Sequence, residues 1–285
     1  LTRALCWGVS WDMLRDAELS ASDLINIARS GLKSETNITV VTVIEGQLST
    51  AIELYSHPSK RDAQKVRVAN ALSEMLDVAP AGSDHQLQFA RAFTSLAATP
   101  AHSEKIKSLL DGKLDGLKID ADLRWTLVNA LVERGVYGRT ELAAELERDN
   151  TINGQMGHAH GIAALRDKEA KATAWKAITK EEMTSSIRES TIRGFNRVTQ
   201  RDLLEDYVDK YFELLLDMWG KKSYDISSSY VEMMYPIYIT TQSTLDKTIN
   251  WLDTTGKEAV PGLRRLVSEA RDGLSRALKA QAKDA

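Results

Sequence analysis

Several residue types that usually reveal a protein's class are scarce in this sequence of 285 residues, which has one cysteine, five prolines and four phenylalanines. A single cysteine excludes an internal disulfide framework and is typical of reducing compartments, so we expect a cytoplasmic protein. No apolar run approaches the ~20 residues that a membrane-spanning helix needs. The net charge of −3 at pH 7 provides no basic field for nucleic acid. Neither nucleic acid nor a membrane is therefore an expected partner.

The sequence also lacks the common short motifs of enzyme active sites. None of the five histidines lies in an H-E-x-x-H zinc motif, and no G-x-S-x-G nucleophile turn occurs. Walker-type and Rossmann-type glycine patterns are absent as well. Cys6 is expected on a buried helix face, which makes it a poor candidate for a nucleophile. We therefore predict no catalytic residue, no metal ligand and no cofactor in this chain.

What the sequence does contain favours helix. Ala, Leu, Glu, Lys and Arg are abundant, and they lose little freedom in a helix, whereas the scarce proline breaks one. Ser20 with Asp23, and later Ser83, mark helix starts, and Gly112 and Gly135 mark helix ends. Apolar spacing of three and four residues predicts an all-α fold. The clearest helices are expected at 3–15, 59–78, 139–149, 154–165, 167–180, 185–194 and 241–254, with a long helix from Thr199 that carries Leu203, Tyr207 and Tyr211, and a last helix from Pro261.

The segment NITVVTVIEGQLSTAIELY, residues 37–55, contains conflicting signals. Its β-branched residues favour a strand by propensity. Its apolar residues nevertheless recur every three or four positions, as Val41, Leu48, Ile52 and Tyr55 show. Because tertiary burial often overrides a weak propensity, we predict a helix.

Many short helices with short connections are difficult to fit into one bundle. Antiparallel helix pairs stacked into a curved α-solenoid of the HEAT or armadillo type bury such faces more naturally. No low-complexity linker divides the chain, so residues 1–285 are expected to form a single helical domain. The sequence begins without Met and inside a predicted helix, from which we expect a domain excised from a longer polypeptide.

His158 and His160 lie one residue apart in the stretch GQMGHAHGIAALRDKEAKATAW. On a helix, residues i and i+2 point roughly 200° apart, so the two side chains cannot face one ion. On an extended segment they share a face, but a third ligand would still be needed. The Ala and Gln content favours helix, and we interpret both as solvent-facing histidines without a metal.

Trp7, Trp11 and Arg15 lie together on the first predicted helix. If the chain is an excised domain, this helix lies at the cut and is expected to contact the missing part. Packing of the same residues inside the chain's own core is an equally good interpretation of the pattern.

Several stretches together resemble the C-terminal helical domain of M1-family zinc aminopeptidases of the aminopeptidase N type, particularly actinobacterial members. They are RALCWGVSWDMLRDAELSASDL, DADLRWTLVNALVERG, ELERDNTINGQMGHAHGIAALRDKEAKATAWKAI, GFNRVTQRDLLEDYVDKYFE and MMYP. Each motif is weak, but their order and spacing extend over nearly the whole chain. Lys171 and Trp175 end the third block.

The resemblance implies a helical domain that arches over a separate catalytic domain, encloses a cavity and limits which peptides reach the zinc site. Zinc is held in that family by an H-E-x-x-H helix outside this domain, so no catalytic or metal-binding residue is carried over. The implied partners are the chain's own N-terminal catalytic domain and peptide substrates at the concave face.

Two other functions remain open at this point. One is a free-standing α-solenoid scaffold that binds peptides or proteins on its concave face. The other is a self-sufficient metalloenzyme that uses His158 or His160. The resemblance favours the accessory domain over both.

Overall fold

A computed structural model of the chain describes residues 2–180 and 182–285. Regular secondary structure in these residues is entirely helical, with no β-strand, which confirms the all-α fold class. The helices up to Arg148 are α1 Thr2–Arg15, α2 Ala21–Leu32, α3 Ile38–Thr50, α4 Pro58–Val78, α5 Asp84–Leu96, α6 Pro100–Leu110, α7 Ala121–Glu133 and α8 Arg139–Arg148. Those that follow are α9 Ile152–Ala163, α10 Lys168–Lys180, α11 Ser185–Phe195, α12 Arg201–Leu204, α13 Val208–Lys221, α14 Tyr224–Met233, α15 Gln242–Asp253 and α16 Pro261–Lys283.

Polar caps and glycines bound these helices where the sequence predicts. The Ser20 hydroxyl oxygen accepts a hydrogen bond from the Asp23 backbone N–H at 3.1 Å, which satisfies one exposed donor of the first turn of α2. The Ser83 hydroxyl does the same at the start of α5. Gly112 and Gly135 follow α6 and α7 with φ of 71°, a left-handed conformation that glycine adopts without strain. Local sequence therefore sets these boundaries.

The β-branched segment is helical, as its spacing predicts. Val41, Ile44 and Leu48 are buried on α3, and the Asn37 side chain caps its first turn. Ala51–Tyr55 continues the segment as a π-helical turn. Burial of the spaced apolar face outweighs the strand propensity of the individual residues.

The long helix expected from Thr199 is instead a series of shorter pieces, so that prediction is wrong. A 3₁₀ turn at Val198–Gln200 precedes α12, and a second at Glu205–Tyr207 separates α12 from α13. Tertiary contacts explain the first turn, because the fully buried Gln200 side chain donates from Nε2 to the Ala164 carbonyl oxygen at 2.8 Å. Long-range hydrogen bonding overrides helical periodicity at this point.

The helices are divided between two compact units. The first extends to Ala130 and includes Arg276–Ala285, and the second is Leu131–Ser275. Within the units, helices pack mainly on near neighbours in sequence, as α4 does on α5 and α13 on α14. This local packing is typical of solenoid-like all-α folds.

The end of the chain binds the starts of two helices in the first unit. The Asp284 carboxylate accepts hydrogen bonds from the backbone N–H groups of Ser22 at 2.7 Å and His57 at 2.9 Å. Ser22 lies in the first turn of α2, and His57 caps α4. Because helix dipoles favour negative charge at N-termini, one buried carboxylate stabilises both helix starts.

Tyrosine rings form the centre of the second unit. Tyr211 on α13 and Tyr230 on α14 are fully buried and stacked, with 5.6 Å between ring centroids and 18° between planes. Their hydroxyls donate to the carbonyl oxygens of Val231 and Tyr211, so neither buried hydroxyl is left without an acceptor. Trp175 of α10 packs its ring edge against Tyr230, which joins a third helix to this cluster.

Glu45 on α3 is an ionisable group inside the first unit. Its side chain is almost completely buried, and its Oε1 has no hydrogen-bond partner among residues 2–180 and 182–285. Burial raises the pKa of Glu45 to about 8, although a hydrogen bond with Gln88 acts in the opposite direction. The folded protein therefore holds a proton here at neutral pH.

Replacing Asp284 with Ala is expected to lower the free energy of unfolding by about 2–4 kcal/mol, because two partly buried N–H groups at helix starts lose their acceptor. Urea denaturation followed by circular dichroism measures the change. The matched control is Glu258→Ala, which removes an exposed acidic side chain. Equal unfolding midpoints for the two variants would contradict the role given to Asp284.

Replacing Glu45 with Gln is expected to stabilise the fold increasingly as pH rises from about 5 to about 8. Above the ordinary carboxyl pKa of 4.5, the unfolded state releases a proton that the folded state keeps. The wild type therefore loses stability with rising pH, by at most about 1.4 kcal/mol per pH unit, whereas Gln does not titrate.

Urea denaturation of the wild type and Glu45→Gln at three pH values in this interval tests the expectation. The exposed Glu74→Gln serves as control and should show the pH slope of the wild type. If Glu45→Gln shares that slope too, Glu45 does not hold the proton.

Candidate functional site

The three residues predicted to contact another domain occupy different surroundings on α1. The Trp7 ring lies so close to α2 that a Cβ added at Gly31 would be 2.4 Å from it, so glycine makes this approach possible. The Trp11 ring packs on Tyr55 with 5.7 Å between centroids. Arg15 is exposed and lies 4.0 Å from the Asp12 carboxylate. Both tryptophans remain partly exposed, and their contact with another domain stays a prediction.

The opposite side of α1 carries a second apolar surface that the sequence analysis did not identify. Leu5, Val9 and Met13 are 61%, 59% and 37% exposed, and steps of four residues place them on one face. Cys6 is exposed as well. The expectation that Cys6 lies on a buried face is therefore wrong, because Trp7, Trp11 and the buried Leu14 turn the other side of the helix inward.

His158 and His160 lie on α9, so the helical interpretation of this stretch is confirmed. Both side chains are partly buried and not simply solvent-facing. Burial lowers the pKa of both imidazoles, and for His160 burial together with the Arg197 cation lowers it to about 3. The backbone of His160 also packs closely on Gly194 of α11, where a Cβ would lie 2.0 Å from the His160 carbonyl oxygen. The stretch therefore takes part in helix packing.

Neither a metal centre nor a membrane span is found in the part of the chain that the structure describes. Within it, no three His, Cys, Asp or Glu side chains lie close enough to share an ion. No helix of residues 2–180 and 182–285 has the length and apolar character needed to cross a bilayer.

An ion pair between the partly exposed Arg197 and the buried Glu133 connects the loop after α11 to the end of α7. Arg197 donates from Nε and Nη2 to the Glu133 carboxylate at 2.9 and 2.7 Å, and the Thr199 hydroxyl donates to the same group. Burial raises the pKa of Glu133, but Arg197 and Thr199 outweigh it and hold the pKa at about 2. A carboxylate kept ionised and fully engaged in this way positions the loop and is not available as an acid or base.

Lys171 of α10 is fully buried and binds the C-terminal ends of two helices. Its ammonium donates to the carbonyl oxygens of Ala163 at 2.8 Å, Phe195 at 2.8 Å and Gly194 at 3.3 Å. Burial and the nearby Arg197 lower the pKa of Lys171 to about 7. Three carbonyl acceptors at the negative ends of α9 and α11 favour the protonated form, whose three donors they match.

The sequence contains a signal for Lys171 that the motif search did not use. Lys171 shares a face of α10 with the buried Ala174 and Ile178, at spacings of three and seven residues. A lysine on the apolar face of an amphipathic helix indicates a buried cation with acceptors nearby. No comparable local signal exists for Arg197, whose partner Glu133 is 64 residues away.

The first unit also contains a small recess with a volume of about 200 Å³. Its lining includes the apolar side chains of Leu32, Met75 and Phe89, with Lys33 and His85 among the polar ones. Such walls are suited to an aliphatic group, and the recess is too small for a drug-sized ligand.

Two comparisons with known proteins give matches over all or nearly all of the chain. The family model described as ERAP1-like C-terminal domain matches residues 1–276. An aminopeptidase N from Streptomyces lividans is 42% identical over 288 residues, a match that covers 100% of this chain and 33% of that relative. The chain thus spans about a third of the length of the curated relative that it matches.

Replacing Lys171 with Met is expected to lower the free energy of unfolding by about 3 kcal/mol or more, because three buried carbonyl oxygens lose their donor. Chemical denaturation measures the loss. Lys168→Met is the control on the same helix, since the Lys168 side chain is 82% exposed, and its effect should stay within about 0.5 kcal/mol. Equal effects of the two variants would show that the buried ammonium does not stabilise the fold.

Proposed function

The chain belongs to the family of ERAP1-like C-terminal domains, and on that premise we propose that it is the noncatalytic C-terminal domain of an aminopeptidase. The observation that carries the proposal is the match to an aminopeptidase N along the entire chain but along only a third of the relative. A segment that accounts for a third of an enzyme, and whose family is named for a C-terminal domain, is best interpreted as an accessory part.

The parent protein that we propose is an M1-family zinc metallopeptidase that removes N-terminal residues from peptides. The residues of this chain do not fit a zinc site of that kind. Its sequence contains no H-E-x-x-H motif, and the described residues contain no cluster of three possible ligands. The zinc of the parent therefore belongs to residues outside this chain, and the compartment that we propose is the cytoplasm.

The role of residues 1–285 in this proposal is to act as one domain that caps the active site and encloses the substrate cavity. An array of short helices supports that role, because it presents a broad wall while its core remains local to each group of neighbours. An enclosed cavity admits unfolded peptides and excludes folded proteins by size. We assign the contact between this domain and the catalytic part to α1, where Arg15 is exposed and where Trp7 and Trp11, although they pack on the first unit, remain partly exposed.

Three proteins test the proposal: the longer polypeptide of the gene, the same polypeptide without residues 1–285, and this chain alone. We expect the longer polypeptide to hydrolyse aminoacyl anilides and this chain alone to be inactive and free of stoichiometric zinc. Removal of residues 1–285 should change the ratio of rates on a long peptide and a small anilide by at least about tenfold, equivalent to about 1.4 kcal/mol. Steady-state kinetics and elemental analysis of the same samples provide the measurements.

Three outcomes would contradict the proposal or part of it. Zinc-dependent hydrolysis by this chain alone would make it an enzyme, and replacement of His158 and His160 would be the first test of its metal site. A gene without a catalytic region before residue 1 would favour the free-standing scaffold. Unchanged rate ratios after removal of residues 1–285 would contradict the role in peptide access.

A further inference from the structure

The first helix is apolar on two opposite sides. Trp7, Trp11 and Leu14 face the first unit, and Leu5, Val9 and Met13 form an exposed stripe on the other side. We call this stripe the α1 outer face. A helix that is hydrophobic on all sides is usually buried. Single exposed apolar residues are common on protein surfaces, but a row of exposed apolar residues on one helix face indicates a binding surface.

The charges of α1 lie beside this face and not on it. On a helical projection at 100° per residue, Leu5, Val9 and Met13 span about 80°, an arc that contains no charged residue of α1, and Cys6 lies about 20° beyond Met13. Asp12 and Arg15 border one side of the arc, and Arg3, which pairs with Glu35, borders the other. An apolar centre with a charged border is the usual composition of a protein–protein interface.

We propose that the α1 outer face docks onto the part of the parent polypeptide that precedes this domain. The inference rests on the proposed function and specifies where the two parts meet. Two thirds of the Streptomyces relative lies outside its match to this chain, and the family description places the matched part C-terminal. In this proposal, the part of the same polypeptide that lies outside this domain covers the α1 outer face.

The size of the face favours a covalently connected partner over a second copy. A 14-residue helix is about 21 Å long, and one of its faces is a small fraction of the 1,200–2,000 Å² that stable interfaces between separate proteins bury. Docking within one polypeptide needs less area, because the connection gives the two surfaces a high effective concentration.

Cys6 provides a direct test, since it is the single cysteine of the chain and lies beside the stripe. The rate of maleimide modification of Cys6 is measured by peptide mass spectrometry in the longer polypeptide and in this chain alone. We expect modification to be at least about tenfold slower in the longer polypeptide, because the docked face must open first. Equal rates in the two proteins would overturn the proposal.

A charged double variant, Leu5→Lys/Val9→Lys, tests the stripe itself. Both side chains are exposed in this chain, so the variant should keep its thermal unfolding midpoint when isolated. In the longer polypeptide it should restore fast Cys6 modification and separate the unfolding of the two parts into distinct transitions. The control is Ile152→Lys/Val260→Lys, which places two lysines at exposed apolar positions elsewhere and should leave Cys6 protected.

Two further results separate this inference from the proposed function. If the longer polypeptide is an active aminopeptidase while Cys6 is modified equally fast in both proteins, the docking surface is wrong and the function stands. If Cys6 is protected but the polypeptide is inactive, the function fails and the interface stands. Sedimentation of the isolated chain gives a third outcome, since a dimer that Leu5→Lys/Val9→Lys dissociates would assign the face to a second copy.

Discussion

Short helices that pack together bring their ends into the protein, and each buried end has backbone groups that need partners. This constraint explains most of the long-range polar contacts described above. Lys171 donates to carbonyl oxygens at the ends of α9 and α11, and Asp284 accepts from N–H groups at the starts of α2 and α4. Gln200, like Lys171, is a donor: its Nε2 donates to the carbonyl oxygens of Glu133 and Ala164. These three buried polar side chains therefore bind helix ends.

Structural contacts of this kind explain the shifted pKa values of Glu133 and Lys171 without a catalytic role. Perturbed groups often mark active sites, but ion pairs and helix-end contacts perturb pKa values as well. Glu133 is held ionised by Arg197, and Lys171 is surrounded by carbonyl acceptors that it already binds. Each of these groups is fully engaged by backbone or side-chain partners. This chemistry is compatible with the noncatalytic role that we propose for the domain.

Local features of the fold could be predicted from the sequence, and features that depend on distant residues could not. Ser20, Ser83, Gly112 and Gly135 act through neighbours within four residues, so their pattern indicates the helix boundaries directly. The break after Thr199 depends on the contact of Gln200 with Ala164, and the ion pair of Arg197 joins residues 64 positions apart. Cys6 was misplaced because α1 is apolar on both sides, and periodicity alone does not say which side faces inward.

The contact of Asp284 with Ser22 joins residues 262 positions apart, and its contact with His57 joins residues 227 positions apart. Arg276–Ala285 belongs to the first unit, yet the whole second unit, Leu131–Ser275, precedes it in the sequence. Because a ribosome makes a chain from its N-terminus, α2 and α4 are synthesised well before the carboxylate that binds their starts. The backbone N–H groups of Ser22 and His57 therefore keep water as their partner until the second unit has been synthesised. The two contacts of Asp284 are thus expected to form late in biosynthesis, after helices that are neighbours in sequence have packed.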